Sequence, residues 1–285
     1  MAGSDNFKID YFLVGVPKSA STWIYQCCLD HPEITVPDED SLKYFDLKHH
    51  KGLQWYRDKF GDLGSGNVII DPSPTYFRSP ASPARIANDF PDAKFILSLR
   101  NPVDRAFSQF WHEKKAGNFP FEFQDCLDRF MLFSWFIETG FYADLLDRWF
   151  QYFDRDRFEV VLFDDLKADP SKFISDIFQF MGVESSFQPR VLHERINKGG
   201  GKASPALKKL DILKKNPTVF SILKRIKSTV MSNRELKKVL EAAASTSGYS
   251  DGMAPDVRAE LCKIYRVQTE RIEVMLDLDL SKWKS

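Results

Sequence analysis

A lysine and three hydroxyl side chains follow an apolar run near the start of the chain. The run covers residues 9–16, and the segment after it reads Pro17-Lys18-Ser19-Ala20-Ser21-Thr22-Trp23. A chain that passes from a strand into a helix presents free backbone N–H groups at the helix N-terminus, and these groups bind anions. Lys18 adds a positive charge and the hydroxyl groups add donors. The pattern predicts a phosphate-binding turn, with a serine-rich helix cap beside a surface lysine as the alternative.

The turn is not the phosphate loop of nucleoside triphosphatases. That loop needs a second glycine directly before its lysine, and here Pro17 precedes Lys18. The Mg²⁺ chemistry of such enzymes therefore has no support in the sequence.

An arginine and a serine eight residues apart form a second candidate anion site. Arg100 ends the apolar segment Lys94–Leu99, and Ser108 lies about two turns into the helix predicted from Pro102. Arginine offers a planar pair of donors to a phosphate dianion. The alternative for Arg100 is a salt bridge at a strand end. Arg105, on the same helix, is expected to be an exposed surface residue.

A third segment places three glycines between two lysines. It reads Lys198-Gly199-Gly200-Gly201-Lys202. Three consecutive glycines disfavour helix and strand, because their conformational entropy is lost on ordering. The segment is predicted to be a loop that closes over a phosphate group, with a flexible surface linker as the alternative.

The elements that must position these segments indicate an α/β fold. Strands are predicted at 9–16, 67–71, Lys94–Leu99 and 157–163. Helices are predicted at Ser21–Asp30, Pro102–Lys115, 121–133, 138–153, Pro170–Met181 and Pro255–Leu276. Apolar strands that alternate with helices are typical of a parallel sheet covered on both faces. The last helix shows an apolar stripe at Val257, Leu261, Ile264, Val267 and Ile272.

The balance of charge conceals an asymmetry. The 285 residues carry 40 Lys+Arg and 40 Asp+Glu. Residues 202–238 hold 11 basic and 2 acidic residues, a net charge of +9, so the remainder sums to −9. The zero total argues against nucleic-acid binding. No apolar run approaches the ~18 residues of a membrane helix, and the four cysteines lack metal-site or disulfide spacing. We therefore expect no membrane span, and a cytoplasmic location.

The residues quoted above resemble those of sulfotransferases that use 3′-phosphoadenosine 5′-phosphosulfate (PAPS) and release 3′-phosphoadenosine 5′-phosphate (PAP). The pattern is most similar to the heparan sulfate N- and 3-O-sulfotransferase group and its bacterial relatives. The resemblance implies a fold like that of the P-loop nucleoside triphosphatases, with a helical C-terminal part and no metal. It implies that residues 17–23 hold the 5′-phosphosulfate, and that Arg100, Ser108 and residues 198–202 hold the 3′-phosphate. It implies a single domain over 1–285: an α/β core at 6–203, a basic helical cover at 204–250, and a C-terminal helix at 251–285 that packs back on the core.

The resemblance extends to the side that faces the sulfate acceptor. Residues 41–46, 51–56 and 71–77 resemble acceptor-side segments of that group, and residues 279–283 resemble the end of bacterial members. The implied acceptor contacts are Lys43, Tyr44, Phe45 and Tyr76. One departure matters, because Ser41 stands where the group has its proposed glutamate base. The candidates left for that role are Asp40, Asp46, Asp71, His49, His50 and His112, of which Asp46, Asp71 and His112 are preferred.

The acceptor is the least determined part of the prediction. Trp111, Trp135, Phe136 and Phe141 suit a small hydrophobic acceptor, and a small metabolite or natural product is expected. A heparan-like glycan, a P-loop kinase reaction and a non-catalytic nucleotide-binding domain are the alternatives.

Overall fold

Five strands of the described residues form one parallel sheet. The computed structural model describes residues 7–37, 39–61, 68–115, 121–192 and 252–284. The strands are β1 (Tyr11–Gly15), β2 (Ile34–Thr35), β3 (Val68–Asp71), β4 (Lys94–Leu99) and β5 (Phe158–Leu162), in the spatial order β2-β3-β1-β4-β5. Every neighbouring pair is parallel. The predicted α/β class is confirmed, and only the two-residue β2, too short to show a periodicity, escaped prediction.

The sheet is apolar because both of its faces are covered. Successive side chains of a strand point to opposite faces. Phe12 and Val14 of β1 accordingly join one hydrophobic cluster, while Leu13 joins another. On β4, Phe95 and Ile96 divide between the two clusters in the same way.

Helices account for the cover on both faces. They are α1 (Ser21–Asp30), α2 (Gly52–Arg57), α3 (Ser82–Asp89), α4 (Pro102–Lys115), α5 (Asp125–Asp128), α6 (Phe130–Leu132), α7 (Tyr142–Phe150), α8 (Phe163–Ala168), α9 (Pro170–Met181) and α10 (Pro255–Leu276). The predicted helices α1, α4, α9 and α10 are confirmed, with ends at or close to the predicted residues. In the part of the chain described here, no helix combines the length and apolar character needed to cross a membrane.

The two helices predicted over 121–153 are replaced by shorter pieces. Arg129 is extended (φ −107°, ψ 113°) and separates α5 from α6, and Phe141 (φ −80°, ψ 63°) precedes α7. A π-helical turn at Phe133–Ile137 and a 3₁₀ turn at Glu138–Gly140 lie between them. Apolar residues do recur at helical spacing in this stretch. We attribute the interruptions to packing against α4 and α10, which favours several short helical pieces over two long helices.

The apolar stripe of α10 differs from the predicted one at its centre. Val267 is 62% exposed. The buried positions are Val257, Leu261, Tyr265, Thr269, Ile272 and Leu276. Thr269 can be buried because its hydroxyl donates to the Tyr265 carbonyl oxygen at 3.0 Å, so no polar atom is left unpaired. A polar side chain whose hydrogen bond is made within its own helix can be buried, but its residue type in the sequence does not indicate burial.

The strand order places a crevice between β1 and β4. The chain leaves β1 toward β2 and β3 on one side and later enters β4 on the other. In parallel sheets, ligands bind at the carboxyl ends of strands where the direction of winding reverses. The turn after β1 and the residues after β4 meet at this point.

Gly140 lies where α4, α7 and α10 converge. A Cβ atom at this position would stand 2.7 Å from the Tyr265 ring and 2.9 Å from Pro102 Cβ. We expect Gly140→Ala to lower the free energy of unfolding by about 1–3 kcal/mol, since overpacking forces neighbours to move. Urea denaturation measures the loss. The control Gly182→Ala adds a methyl group with no atom within 4 Å at φ +71°, so it carries only the left-handed backbone cost of about 1–2 kcal/mol. A Gly140→Ala protein as stable as the wild type would contradict the packing.

Candidate active site at the β1 and β4 strand ends

The turn between β1 and α1 is fixed to β4. The Val16 N–H donates to the Ser98 carbonyl oxygen at 2.9 Å, and the Ser98 hydroxyl donates to the Ser19 carbonyl oxygen. Lys18 and Ala20 have positive φ angles of 74° and 71°. That conformation is unfavourable for residues with a Cβ atom, so surrounding contacts must impose it. The result is a sharply bent loop directly ahead of a helix.

The N-terminus of α1 carries no cap of its own. Ala20 is the N-cap residue and makes no side-chain capping bond, and the first turn contains no acidic residue. The first backbone N–H groups of a helix have no partner within it and form a partial positive charge. Ser19 Oγ is also buried without a hydrogen-bond partner. These donors suit an anion that binds in the turn.

Lys18 is half-buried and lies beside a second cation. Its carbonyl oxygen accepts a hydrogen bond from Arg100 Nη1 at 3.0 Å. Burial lowers the pKa of the Lys18 ammonium, and the positive charge of Arg100 lowers it further. Two cations held this close are stabilised by any anion that binds between them.

Arg100 is held at both ends while part of its guanidinium stays unpaired. The Tyr142 hydroxyl donates to the Arg100 carbonyl oxygen at 2.9 Å. The guanidinium carbon lies 4.7 Å from the centre of the Phe163 ring. Its Nε is buried and has no hydrogen-bond partner. A buried unpaired donor is costly unless a ligand satisfies it.

Ser108 lies half-buried on α4, whose start is fixed by Asn101. Asn101 Oδ1 accepts from the Val103 N–H at 3.0 Å and the Asp104 N–H at 3.4 Å, which caps the helix. Arg105 was expected to be exposed, and this was wrong. It is fully buried, and its guanidinium donates to Gln109 Oε1 and to the Phe136 carbonyl oxygen. Neutral oxygens accept its hydrogen bonds, an arrangement that leaves no trace in the spacing of charges.

The glycine-rich segment 198–202 and the basic segment 202–238 lie outside the described residues. The predicted roles of Lys198, Gly199, Gly200, Gly201 and Lys202 stay predictions. So does the basic helical cover at 204–250.

Asp71, at the end of β3, is fully buried in a network of hydroxyl groups. Its Oδ2 accepts from the Tyr56 hydroxyl at 2.8 Å and the Tyr76 hydroxyl at 2.9 Å, and its Oδ1 accepts from Ser73 Oγ at 2.6 Å. Burial raises the pKa of Asp71 to about 6, although the three hydrogen bonds oppose the rise. All three hydrogen bonds to the Asp71 carboxylate thus come from side chains of the protein itself.

The predicted acceptor contacts divide into one accessible and three buried residues. Tyr44, Phe45 and Tyr76 are at most 2% exposed. The Tyr44 N–H donates to the Tyr76 hydroxyl at 2.9 Å, and the Lys43 N–H donates to Ser73 Oγ at 3.4 Å. Lys43 itself is half-buried with a φ of 56°. These contacts tie the segment to the Asp71 network.

The remaining acid–base candidates differ in accessibility. His112 is exposed near the end of α4, and Asp46 is half-buried. Partial burial lowers the pKa of His112, and the charge of Lys18 lowers it further. Asp40 and His50 are exposed, and the half-buried His49 ring lies 5.1 Å from the Tyr44 ring.

Sequence reasoning missed Arg78. Its guanidinium carbon lies 4.2 Å from the centre of the Trp135 ring. Burial lowers the pKa of Arg78, while the nearby Asp46 charge opposes that effect. Trp135 is 43% exposed, and Phe130 (78%) and Met131 (75%), a few residues earlier in the chain, are exposed as well. Of the four aromatic residues proposed for a hydrophobic acceptor, Trp111 and Phe136 are buried in the core. A single arginine after a strand carries no spacing signal that could have revealed this contact.

The protonation of Asp71 should appear in the stability of the protein. Its pKa is raised from 3.8 to about 6 on folding. The folded state therefore binds the proton more tightly, and stability from this group is present at low pH and lost as the pH rises through 6. For the wild type relative to Asp71→Asn, we expect the free energy of unfolding to fall by about 2.5 kcal/mol from pH 4 to pH 7.5.

Chemical denaturation at several pH values measures the difference. The control is Asp92→Asn, which removes the same carboxylate charge at an exposed position. A difference that grows in favour of the wild type with rising pH would mean that the three hydrogen bonds outweigh burial.

Comparison with known proteins agrees with this geometry. The sequence profile of a sulfotransferase domain matches residues 8–258. Mouse heparan sulfate glucosamine 3-O-sulfotransferase 3B1 is 28% identical over 205 residues, 70% of this chain and 51% of that protein. Mouse bifunctional heparan sulfate N-deacetylase/N-sulfotransferase 4 is 27% identical over 192 residues, 61% of this chain and 22% of that protein. The chain thus spans about half the length, or less, of these relatives.

The fold has a counterpart among solved structures. The crystal structure of a sulfotransferase from Alicyclobacillus acidocaldarius superposes with a TM-score of 0.70 at 21% identity, covering 98% of this chain and 100% of the other. This likeness confirms the sulfotransferase fold expected from the sequence. With the profile matched over most of its length, the chain belongs to the sulfotransferase domain family.

Proposed function

We propose that the protein transfers a sulfuryl group from PAPS to a hydroxyl or amine group of an acceptor. The observation that carries the proposal is a pair of buried donors without partners, Ser19 Oγ and Arg100 Nε, in the segments that meet at Lys18. A ligand with two separate phosphate groups would satisfy both. Membership of the sulfotransferase domain family supports the same reading.

The residues of the turn fit such a donor. When bound, PAPS supplies the sulfuryl group and leaves as PAP. The N-terminus of α1, with the hydroxyl groups of Ser19, Ser21 and Thr22, would hold the 5′-phosphate. Lys18 would neutralise charge that develops on the leaving phosphate oxygen. Arg100 and Ser108 would bind the 3′-phosphate without reacting, with residues 198–202 as further candidates.

His112 is the proposed base. As the acceptor oxygen or nitrogen bonds to sulfur it must lose a proton, and a neutral imidazole can take it. The lowered pKa of His112 keeps the ring neutral near pH 7. Asp71 is buried and already accepts three hydrogen bonds. We therefore assign Asp71 to fixing the acceptor-side segment, and keep Asp46 as the second candidate for the base.

A small acceptor with an apolar body is the proposed substrate class. The exposed group of Phe130, Met131 and Trp135, with Arg78 stacked on Trp135, offers apolar surface next to a cation. Ser41 in place of the glutamate of the glycan enzymes also favours a different acceptor. A glycan is the second candidate, because the similar mouse proteins are named for heparan sulfate.

One assay separates the candidate activities. The protein is incubated with ³⁵S-labelled PAPS and a panel of phenols, amines, alcohols and heparan oligosaccharides, and products are identified by mass spectrometry. A sulfated product is expected from the small acceptors, and it should form in EDTA because no step is assigned to a metal. Product from oligosaccharides alone would favour the glycan activity, and consumption of ATP would favour a kinase. PAP binding without any product would favour a non-catalytic domain.

Removing the Lys18 amine should slow the reaction more than it weakens binding. We expect Lys18→Ala to reduce turnover by about 10²- to 10³-fold, as for other groups that stabilise developing charge. PAP binding should stay measurable by calorimetry, because Arg100 and the helix N-terminus remain. The control Lys172→Ala removes an exposed lysine on α9 and should change neither quantity. Wild-type turnover in Lys18→Ala would refute the assigned role.

Replacing His112 should change the dependence of rate on pH. In the wild type, we expect the rate to rise with pH through a pKa below the ordinary 6.5 of histidine, because only the neutral ring accepts a proton. His112→Gln should lose that rise and about 10²-fold in turnover at pH 7.5. The exposed His50→Gln serves as the control. An unchanged profile in His112→Gln would move the role to Asp46, which Asp46→Asn then tests.

A further inference from the structure

The described chain ends in a turn that inserts a tryptophan beside the β4 strand end. Trp283 lies in the 3₁₀ turn Ser281–Trp283 after α10 and is 3% exposed. Its indole N–H donates to Asp164 Oδ2 at 3.1 Å, and its ring meets the Tyr142 ring edge-on with centres 6.4 Å apart. The Leu280 N–H donates to Glu273 Oε1 at 3.0 Å, which anchors the turn to α10.

Both contacts of Trp283 lead to Arg100. Tyr142 holds the Arg100 carbonyl oxygen through its hydroxyl. Asp164 directly follows Phe163, the residue whose ring lies against the Arg100 guanidinium. The tryptophan therefore touches two of the groups that surround the arginine without touching the arginine itself.

The Asp164 carboxylate is a potential competitor for Arg100. Burial disfavours its charge, but hydrogen bonds from Lys167 and Trp283 outweigh that effect, and the pKa of Asp164 lies below its usual range. The carboxylate is therefore charged at neutral pH. An ion pair with Arg100 would occupy the donors that an incoming phosphate needs.

Both carboxylate oxygens are engaged elsewhere. Asp164 Oδ1 accepts from Lys167 Nζ at 2.8 Å and Oδ2 accepts from Trp283. Lys167 is itself tied to the site, because its Nζ lies 4.9 Å from the centre of the Phe163 ring. Among the described residues no salt bridge joins Asp164 to Arg100, and the Arg100 Nε stays without a partner.

We propose that Trp283 is a positioning residue that holds the Asp164 carboxylate away from Arg100 and so leaves the guanidinium free for the 3′-phosphate. The inference rests on the proposed function, in that it takes PAP as the ligand. Without the indole N–H, Asp164 Oδ2 is free to turn to Arg100, and the protein should lose affinity for the 3′-phosphate in particular. Removal of the negative charge at Asp164 should then restore it.

The test compares two ligands that differ only in the 3′-phosphate. Dissociation constants for PAP and for adenosine 5′-monophosphate are measured by calorimetry at one ionic strength. Their ratio measures how much the 3′-phosphate contributes to affinity. We expect Trp283→Phe to lower the preference for PAP about five- to tenfold, the size of one hydrogen bond. Trp283→Phe combined with Asp164→Asn should return to the wild-type preference or exceed it.

Two controls separate this role from general support of the fold. Trp149→Phe removes an equally buried indole N–H, which donates to the Phe77 carbonyl oxygen at 3.1 Å, and should leave the preference for PAP unchanged. Asp164→Asn alone keeps Trp283 and should not lower the preference. A loss of preference in Asp164→Asn would refute the proposal even if Trp283→Phe does not fold.

The outcomes are distinct. A wild-type protein without preference for PAP refutes the proposed function. A wild-type preference that survives in Trp283→Phe, falls equally for both ligands, or is not restored by Asp164→Asn refutes the role of Trp283 alone. A loss of preference in Asp164→Asn refutes it as well.

Discussion

The hydrogen bond from the Arg100 guanidinium to the Lys18 carbonyl oxygen joins the two halves of the site. It can form only because β1 and β4 are neighbours in a parallel sheet and end at the same edge. The hydrogen bond from the Val16 N–H to the Ser98 carbonyl oxygen fixes the register of the two strand ends. Lys18 and Arg100, 82 residues apart in the chain, are thereby brought together. The bent loop, the uncapped helix and the unpaired donors together form the proposed anion-binding centre.

Two ionisable side chains, Asp71 and Arg105, are buried in the described part of the fold. Asp71 is buried with its pKa raised to about 6, and Arg105 is buried against neutral oxygens. Each group is expensive to desolvate and needs well-placed partners. Asp71 connects β3 to the segment around Tyr44, and Arg105 connects α4 to the turn that carries Phe136. The polar groups thus fix the loops on the acceptor side, where apolar packing alone would leave their position less specific.

The sequence predicts the strands and helices that bring Lys18 and Arg100 together, and it does not predict the contacts around Asp71, Arg78 and Arg105. The turn at Lys18 and the Arg100–Ser108 spacing each lie within one short stretch of chain, so each pattern is visible in the sequence. Strands and helices with strong periodicity, such as β4 and α9, were predicted to the residue for the same reason. The irregular segment at 121–153, the burial of Arg105 and the stacking of Arg78 on Trp135 arise between distant segments. No pattern along a single chain records such contacts.

The serine at position 41 changes which element of the fold can supply the base of the proposed reaction. Ser41 Oγ is buried and unpaired, and Asp71 beyond it is committed to the hydroxyl network. The proposed base, His112, lies on α4, the helix that also carries Ser108. Proton removal and donor binding would depend on one helix, whose start is capped by Asn101 and whose middle is anchored by Arg105. A displacement of α4 by a fraction of an ångström would disturb both steps at once, which gives a physical reason for burying an arginine in its interior face.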